Sequence, residues 1–352
     1  MEIRPTQIDE LPRLSEFLTT QGMARSPEVL RWKFWQSPGH PAGESTSFVA
    51  RIDGRIVGHV GILPATLHLG QAEKPTFDGG WFVDWMVRQD LRSRGIGIFL
   101  LREAARVWPT LMTIQGSADT REVLPQLNWS QNRRLAVYKL NVRFGALGRS
   151  AGITRRAAAQ LARLLYYHPV THCPPSGWQL INAMTVPADA QWDLLDDALP
   201  PRGRNPNGSI CHLQRSGPFL RWSFRDHPTR RYNLLMAEDP AGAAGYAIWR
   251  TCRRADGKLE GRIVDVGLEW DRCDGWRWLI SVVTAHLAAE GAAQISCLAG
   301  DDSPLSEGLR QNRYLRRCEL GLWTCPQATE LTPGARWHLT FADSDIDTAA
   351  EV

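Results

Sequence analysis

The alternation of apolar and polar positions in the first 145 residues predicts strands separated by helices. The opening "MEIRPTQIDELPRLSEFL" predicts a short strand and then a helix, because its apolar residues from position 8 to position 18 recur near the helical spacing. "SPEVLRWKFW" predicts a second helix, in which Ser26 is the N-cap and Pro27 is the first helical residue.

The next segments predict a hairpin and the centre of a sheet. "SFVARIDGRIVGHVGILPATLHL" contains two strand-like runs joined by Asp53-Gly54, a dipeptide that favours a tight hairpin turn. "GGWFVDWMV" predicts another strand, and residues 98–107 predict a helix. "TLMTIQG" then predicts a strand, "TREVLPQLNW" a short helical turn broken by Pro125, and "RRLAVYKLNVRF" a closing strand. This order indicates a mixed α/β fold.

The second half of the chain repeats the pattern of the first half. "VLRWKFWQSPG" (29–39) returns as "FLRWSFRDHPT" (219–229), and "LPQLNW" returns as "LRQNRY". "FVDWMV" matches "IVDVGL", which aligns Asp84 with Asp265. Matches in the same order at so long a period predict duplicated domains. We expect one domain over 1–145, a basic helix and linker over 146–175, a second domain over 176–330 and a C-terminal tail over 331–352.

Length, charge and hydropathy exclude several classes of protein. The 352 residues exceed a typical single domain, and the net charge of +4 is too mild for a nucleic-acid-binding stripe. The N-terminus has no secretory signal pattern, and no stretch is apolar for long enough to span a membrane. We therefore expect a cytoplasmic protein. For the basic helix "GITRRAAAQLARLLYY" two interpretations stay open, packing along the domain junction and lying on an anionic membrane surface.

The cysteines do not form a recognisable framework. All seven follow residue 170, and none belongs to a C-x-x-C pair. Their odd number and their spacing argue against a disulfide scaffold and against zinc, and they favour a reducing compartment. His168, His172 and Cys173 lie close in sequence, but the flanking prolines and the lack of a fourth ligand favour a loop. We expect no metal.

The segment "LRSRGIGIFLLREAARVWP" (91–109) is the strongest candidate for a binding site. It follows a strand and runs into a helix, so it exposes backbone N–H groups at a helix N-terminus, where the helix dipole favours negative charge. Gly95 and Gly97 allow a close approach of the backbone, and Arg92 and Arg94 add positive charge. A pyrophosphate suits this arrangement, although a tight turn would need the same glycines.

Together with the order of elements, "RSRGIG" resembles the Arg/Gln-x-x-Gly-x-Gly/Ala signature of the GNAT acyltransferase superfamily. The resemblance covers residues 1–145 well and 176–325 more weakly. It implies that acyl-CoA, such as acetyl-CoA, lies between two splayed parallel strands. Met86 and Val87 would pair with the pantetheine arm. The pyrophosphate would be held by amides of the residues from 93 to 98, namely Ser93, Arg94, Gly95, Ile96, Gly97 and Ile98.

The second copy departs from this signature. It has "WDRCDGWRW" (270–278) at the corresponding place, where only Gly275 is left, and Asp271 and Asp274 would repel phosphates. We expect that this copy has lost cofactor binding and supports the first domain or supplies a wall of the acceptor site. The two "LRW-x-F" motifs and "WHLTFADSDID" also resemble tandem GNAT proteins associated with bacterial polysaccharide or cell-envelope gene clusters.

Asp84 is the main catalytic candidate. Aromatic neighbours in "WFVDW" would raise its pKa toward that of a general base, while a structural role as a hydrogen-bond acceptor stays open. The resemblance implies a tyrosine acid where this chain has Leu124. Ser117 and Tyr138 are the substitutes that we consider for protonating the thiolate.

These features lead to the expectation of an acyl-CoA-dependent N-acyltransferase. It would move an acetyl or other short acyl group to an amine, such as an amino sugar or a small metabolite, by direct attack. Two alternatives stay open. One is an aminoacyl-tRNA-dependent transferase of the cell-wall type, against which the intact phosphate loop argues. The other is a non-catalytic protein that senses acyl-CoA or acts as a scaffold.

Overall fold

The computed structural model describes residues 1–39, 43–69, 76–142, 170–181, 192, 210–332, 336–345 and 347. Most of the expected linker over 146–175, with its basic helix and His168, lies outside the described residues, as do parts of the expected C-terminal tail. No described helix is long and apolar enough to cross a membrane.

The described helices flank a sheet in both halves of the chain. They are α1 (Leu11–Thr20), α2 (Pro27–Trp35), α3 (Ile96–Val107), α4 (Ala118–Gln126), α5 (Gly217–Leu220), α6 (Cys273–Ala289), α7 (Pro304–Gln311) and α8 (Pro326–Leu331). Short 3-10 helices precede α1 and α3, at Ile8–Glu10 and Gln89–Arg94, and a π-helical turn (Arg221–Arg225) extends α5.

The strands of the first half are β1 (Glu2–Pro5), β2 (Ser47–Ile52), β3 (Arg55–Leu69), β4 (Phe77–Val87), β5 (Leu111–Ile114) and β6 (Ser130–Asn141). Those of the second half are β7 (Gln179–Leu180), β8 (Ile210–Leu213), β9 (Asn233–Asp239), β10 (Gly242–Arg253), β11 (Leu259–Leu268), β12 (Gln294–Gly300), β13 (Leu315–Thr324) and β14 (Arg336–His338).

Local sequence signals fix several element boundaries. The Ser26 hydroxyl accepts a 3.3 Å hydrogen bond from the Val29 N–H, which confirms the predicted N-cap of α2. Asp53 and Gly54 have φ values of 49° and 76°, which confirms the tight turn between β2 and β3. The prediction that Pro125 breaks its helix is wrong. Pro125 lies in the last turn of α4, where a missing N–H removes a single helical hydrogen bond.

All the described strands belong to one sheet. In this sheet, β6 of the first half and β13 of the second half each pair with strands of the other half. The order is β1-β2-β3-β4-β5-β13-β6-β12-β11-β10-β9-β7, with β8 attached to β3 and β14 to β8. Strand β13 of the second half pairs with β5, and β6 of the first half pairs with β12. The pairs β4–β5 and β11–β12 are parallel. Each half therefore has its sheet completed by the other half.

The repeat that the sequence predicts is visible as a pair of matching contacts. The indole N–H of Trp32 donates to the carbonyl of Trp222 over 3.0 Å, and the indole N–H of Trp222 donates to the carbonyl of Trp32 over the same distance. Their rings stack with centroids 4.8 Å apart. Ser216 caps α5 as Ser26 caps α2, in each case with a 3.3 Å bond. The two copies thus meet through equivalent residues.

Candidate functional site

A β-bulge in β4 opens the sheet beside Asp84. His59 lies opposite Met86 and Gly61 lies opposite Val83, so that one residue of β3 faces two residues of β4. Asp84 adopts a left-handed conformation with φ of 49° at this bulge. The parallel pairing of β4 with β5 ends at Trp81, opposite Met112. The two strands diverge beyond that point and leave a cleft.

The cleft is part of a cavity of 1340 Å³ that both halves of the chain line. Residues 82–87 of β4 and the segment from 113 to 117 after β5 form its first-half side. Its other side includes Glu260 and Arg262 of β11, Ser296 of β12 and the hairpin residues 253–256. A large cavity lined by both apolar and charged side chains is a candidate ligand site.

The phosphate-loop candidate lies at the first-half end of this cavity. Gly95 has φ of 73° between the 3-10 helix and α3, a conformation that favours glycine. A Cβ on Gly95 would have its closest contact with Phe99 at 3.9 Å, so the space in front of it is open. The first N–H groups of α3 have no partners within the helix, and they suit an anion.

Gly97 has a packing role besides the one that the sequence suggested. A Cβ on Gly97 would lie 2.8 Å from the indole ring of Trp85, and the Trp85 indole N–H donates to the Gly97 carbonyl over 3.2 Å. Gly97 also lines the cavity, so its contact with a cofactor stays a prediction. Gly97 lets β4 pack against α3, and this contact holds the loop beside the cleft.

The remaining predicted cofactor residues divide into two groups. The members that line the cavity are Met86, Val87, Arg92, Ser93, Gly95, Gly97 and Ile98. Arg94 is exposed away from the cavity, and Ile96 is buried in the first-half core. Arg92 has an exposed side chain and lies 3.5 Å from Asp119, which is a weak ion pair in solvent. Arg92 therefore stays available to a ligand.

Asp84 lies in a buried cluster with two residues that the sequence analysis did not identify. The Lys33 ammonium of α2 lies 2.5 Å from the Asp84 carboxylate and 2.9 Å from the carboxylate of Asp345. The Asp84 side chain is 1% exposed and that of Lys33 is 3% exposed, whereas the Asp345 side chain is 18% exposed. Asp345 thus presents the accessible carboxylate of the cluster to the cavity that it lines.

The two carboxyl groups of this cluster have opposite pKa shifts. Burial would raise the pKa of Asp84, but the charge of Lys33, supported by that of Arg25, lowers it below its ordinary value. The expectation that aromatic neighbours raise the pKa of Asp84 is therefore wrong. Burial raises the pKa of Asp345, and the Asp84 charge adds to this rise while Lys33 opposes it. The group with the raised pKa is therefore Asp345.

Ser117 and Tyr138 do not lie together. Ser117 lines the cavity and caps α4, where its hydroxyl accepts a 3.2 Å bond from the Thr120 N–H. Tyr138 does not line the cavity, because Val137 and Lys139 on either side of it do. Its ring is buried in the second-half core, and its hydroxyl accepts a 3.3 Å bond from Arg310. Leu124, at the position of the family's tyrosine, is a core residue.

The corresponding cleft of the second half holds the chain's own C-terminal segment. The Ala342 N–H donates to the carbonyl of Val264 over 3.1 Å, and a ring nitrogen of His338 lies 3.0 Å from the carbonyl of Val266. These carbonyls belong to the edge of β11 that corresponds to the open edge of β4. Trp337, like the residues from 339 to 341, is buried here. Both of these carbonyls therefore have partners from the chain itself.

The helix N-terminus in the second half is covered as well. A Cβ on Gly275 would lie 2.8 Å from the indole ring of Trp178, which packs over the first turn of α6. The Arg272 guanidinium lies 6.0 Å from the centre of the same ring. Asp274, at the start of this helix, pairs with Arg277 over 3.0 Å. These contacts put an indole where a phosphate would need open N–H groups.

Comparisons with known proteins give a family match in the first half of the chain. Residues 11–111 match the model of the acetyltransferase (GNAT) family. No curated protein sequence matches the chain.

Several solved structures are similar to the chain over most of its length. A GCN5-related N-acetyltransferase from Anabaena variabilis has 12% identity, with 92% of this chain and 72% of that one covered and a TM-score of 0.57. The N-myristoyltransferase of Saccharomyces cerevisiae with bound myristoyl-CoA has 11% identity, with 92% and 82% covered and a TM-score of 0.54. A probable N-acyltransferase from Enterococcus faecalis has 11% identity, 94% and 74% covered, and a TM-score of 0.59. The predicted fold, two GNAT-type folds in tandem, is confirmed.

Proposed function

We propose that the chain is an acyl-CoA-dependent N-acyltransferase whose chemistry takes place in the first-half cleft. The observation that carries this proposal is the continuity of the cavity, which joins the helix N-terminus at Gly95, the open edge of β4 and the carboxyl group of Asp345. The family match over residues 11–111 supports the donor class. The acceptor is an amine, for which amino sugars and small metabolites are the classes to examine first.

Different residues of the cleft bind the cofactor, transfer protons and position the base. The N-terminal amides of α3 and Arg92 hold the pyrophosphate, and the β4 edge at Met86 and Val87 pairs with the pantetheine arm. The amine nitrogen attacks the thioester carbon directly, the C–N bond forms and the C–S bond breaks. Asp345 accepts the proton that the amine loses and later releases it to solvent. The leaving CoA thiolate takes a proton from water, or from Ser117, which regains a proton from solvent. Asp84 and Lys33 act as positioning residues for Asp345.

The main test compares Asp345→Asn with Asp78→Asn, an exposed residue at the far end of β4. Loss of a general base should lower kcat by about 10²- to 10⁴-fold, whereas Asp78→Asn should leave kcat unchanged. In the unmodified chain kcat/KM should rise with pH through the raised pKa of Asp345, because the base acts when deprotonated. This rise should disappear in Asp345→Asn. CoA release measured with a panel of amines gives all these values.

The outcomes separate the parts of the proposal. A kcat within tenfold of the unmodified value in Asp345→Asn would show that this carboxylate is not the base. Tight binding of acetyl-CoA without turnover on any amine would favour the sensor or scaffold alternative. Failure to bind acyl-CoA at all would rule out the proposed reaction. Transfer of an acyl group from a charged tRNA would favour the cell-wall-type alternative.

A further inference from the structure

The part of the cavity that the second half lines carries an excess of positive charge. Cavity-lining cations at this end are Lys139, Arg253, Arg254 and Arg262, whereas the anions are Asp256 and Glu260. Asp256 pairs with Lys258, outside the cavity lining, over 3.0 Å and with Arg254 over 3.6 Å. We propose, on the basis of the function proposed above, that this end binds an anionic group on the acceptor, so that the substrate is an amine that also carries a carboxylate or a phosphate.

The cationic floor is built from adjacent strands. Strand register places Arg262 of β11 beside Ser296 of β12, and Ser296 beside Lys139 of β6. Residues that are paired across neighbouring strands project from the same face of a sheet, and all three line the cavity. Ser296 donates a 2.7 Å hydrogen bond to Glu260, which keeps that carboxylate on the same floor. Two cations therefore flank a hydroxyl on one surface.

The arginine of this floor is held in place by carboxylates. The Arg262 guanidinium donates to the Asp347 carboxylate over 3.2 Å and to its backbone carbonyl over 3.0 Å. Glu260 lies 3.9 Å from Arg262, which is a loose contact. Arg262 therefore fixes one side of the floor, and Lys139 carries the charge that attracts the ligand.

Lys139 adds a second positive charge. It is half-buried on β6, and in the parts of the chain that the structure describes no carboxylate lies within ion-pair distance of its ammonium group. A half-buried ammonium ion loses part of its hydration energy, and the attraction of a substrate anion can compensate for this loss. Lys139 is therefore the residue that should respond most clearly to the charge of the acceptor.

The distance between the two ends of the site is suited to one small molecule. Asp345 and Asp347 are separated by one residue, so their Cα atoms are at most about 7 Å apart. Arg262 contacts Asp347 directly. The carboxyl group that receives the proton and the floor that carries Lys139 thus lie within reach of the same acceptor, with its amine at Asp345 and its anionic group at Lys139.

The experiment measures binding of matched amines to the full chain saturated with CoA. Glucosamine and glucosamine 6-phosphate form one pair, and butylamine and 4-aminobutyrate form the other, so that phosphate and carboxylate are tested separately by calorimetry. We expect the anionic member of at least one pair to bind tenfold or more tightly than its neutral partner, an advantage that decreases with salt.

Two charge-removing variants make the test specific. Lys139→Met should reduce the advantage of the anionic amine about tenfold, which corresponds to about 1.4 kcal/mol. Arg55→Met removes the same charge from an exposed residue outside the cavity lining, and it should leave the advantage unchanged. Three outcomes would overturn the proposal. They are equal binding of charged and neutral amines, no binding of either pair, and a variant Lys139→Met that loses affinity for acyl-CoA instead of for the amine. Turnover of neutral amines alone would overturn it and retain the acyltransferase function.

Discussion

The two halves of the chain present the same kind of cleft in two different states. In the first half the edge of β4 beyond Asp84 faces a cavity of 1340 Å³. In the second half the corresponding edge of β11 bonds to Ala342 and His338 of the C-terminal segment. A splayed pair of strands leaves backbone groups that need partners, and these come either from a ligand or from the chain itself.

One pair of equivalent arginines shows how the two clefts differ. Arg215 and Arg25 occupy matching positions before the two "LRW" motifs. Arg215 is fully buried and bonds to Asp265 and Asp343 over 2.8 Å each. Arg25 lines the cavity, where its charge helps to lower the pKa of Asp84 and opposes the rise in the pKa of Asp345. The arginine of the second half thus belongs to an internal ion-pair network, and that of the first half faces a cavity.

The largest expected effect compares these two arginines. Arg215→Met leaves two buried carboxylates without their cation, so it should lower the free energy of unfolding by ~3–5 kcal/mol. Arg25→Met removes a partly exposed charge and should change stability by about 0.5 kcal/mol or less. Urea denaturation of both variants measures the difference. Equal losses in the two variants would show that the halves do not differ in this way.

A smaller effect is expected at the phosphate loop. Gly95→Glu puts a carboxylate in front of the α3 amides. Repulsion between this carboxylate and the pyrophosphate at a distance of about 5 Å amounts to ~3 kcal/mol, or about a 100-fold loss of acyl-CoA affinity. Gly54→Glu is the matched control, because Gly54 has φ of 76° against 73° for Gly95 and lies in the β2–β3 turn. Both variants carry the same backbone strain. Unchanged affinity in Gly95→Glu, measured by calorimetry, would place the cofactor elsewhere.

The smallest effect tests the symmetry between the halves. Trp32→Phe and Trp222→Phe each keep a stacked ring and remove one indole N–H, which donates to the partner's carbonyl in both cases. Each variant should lose about 1 kcal/mol of stability, the typical net value of one hydrogen bond. Thermal or urea unfolding checks both. A loss in only one of them would mean that the two bonds are not equivalent.

Local features of the fold were predictable because they depend on neighbours in sequence. The Ser26 cap, the Asp53-Gly54 turn and the repeat of the "LRW" motif all follow from short patterns. The exchange of β6 and β13 was not predictable, since strand order depends on contacts between residues nearly two hundred positions apart. Pattern and periodicity identify a strand without identifying its partner.

The candidate site was predictable in part for the same reason. Asp84 stood out because it lies in an apolar strand, and the loop at Gly95 stood out by its glycines. Lys33 lies 51 positions from Asp84 and 312 positions from Asp345, so no local pattern joins the three residues. The charge of Lys33 gives Asp84 the opposite pKa shift from the expected one. The one signal for Asp345 was the acidic "FADSDID" segment near the end of the sequence.

The exchanged strands also set a condition for dividing the chain. Strand β13 lies between β5 and β6 and pairs with both, so a fragment that ends before residue 315 would leave an edge of each strand without this partner. Unpaired strand edges promote aggregation. We therefore expect the two copies to be stable only when they are expressed as one chain.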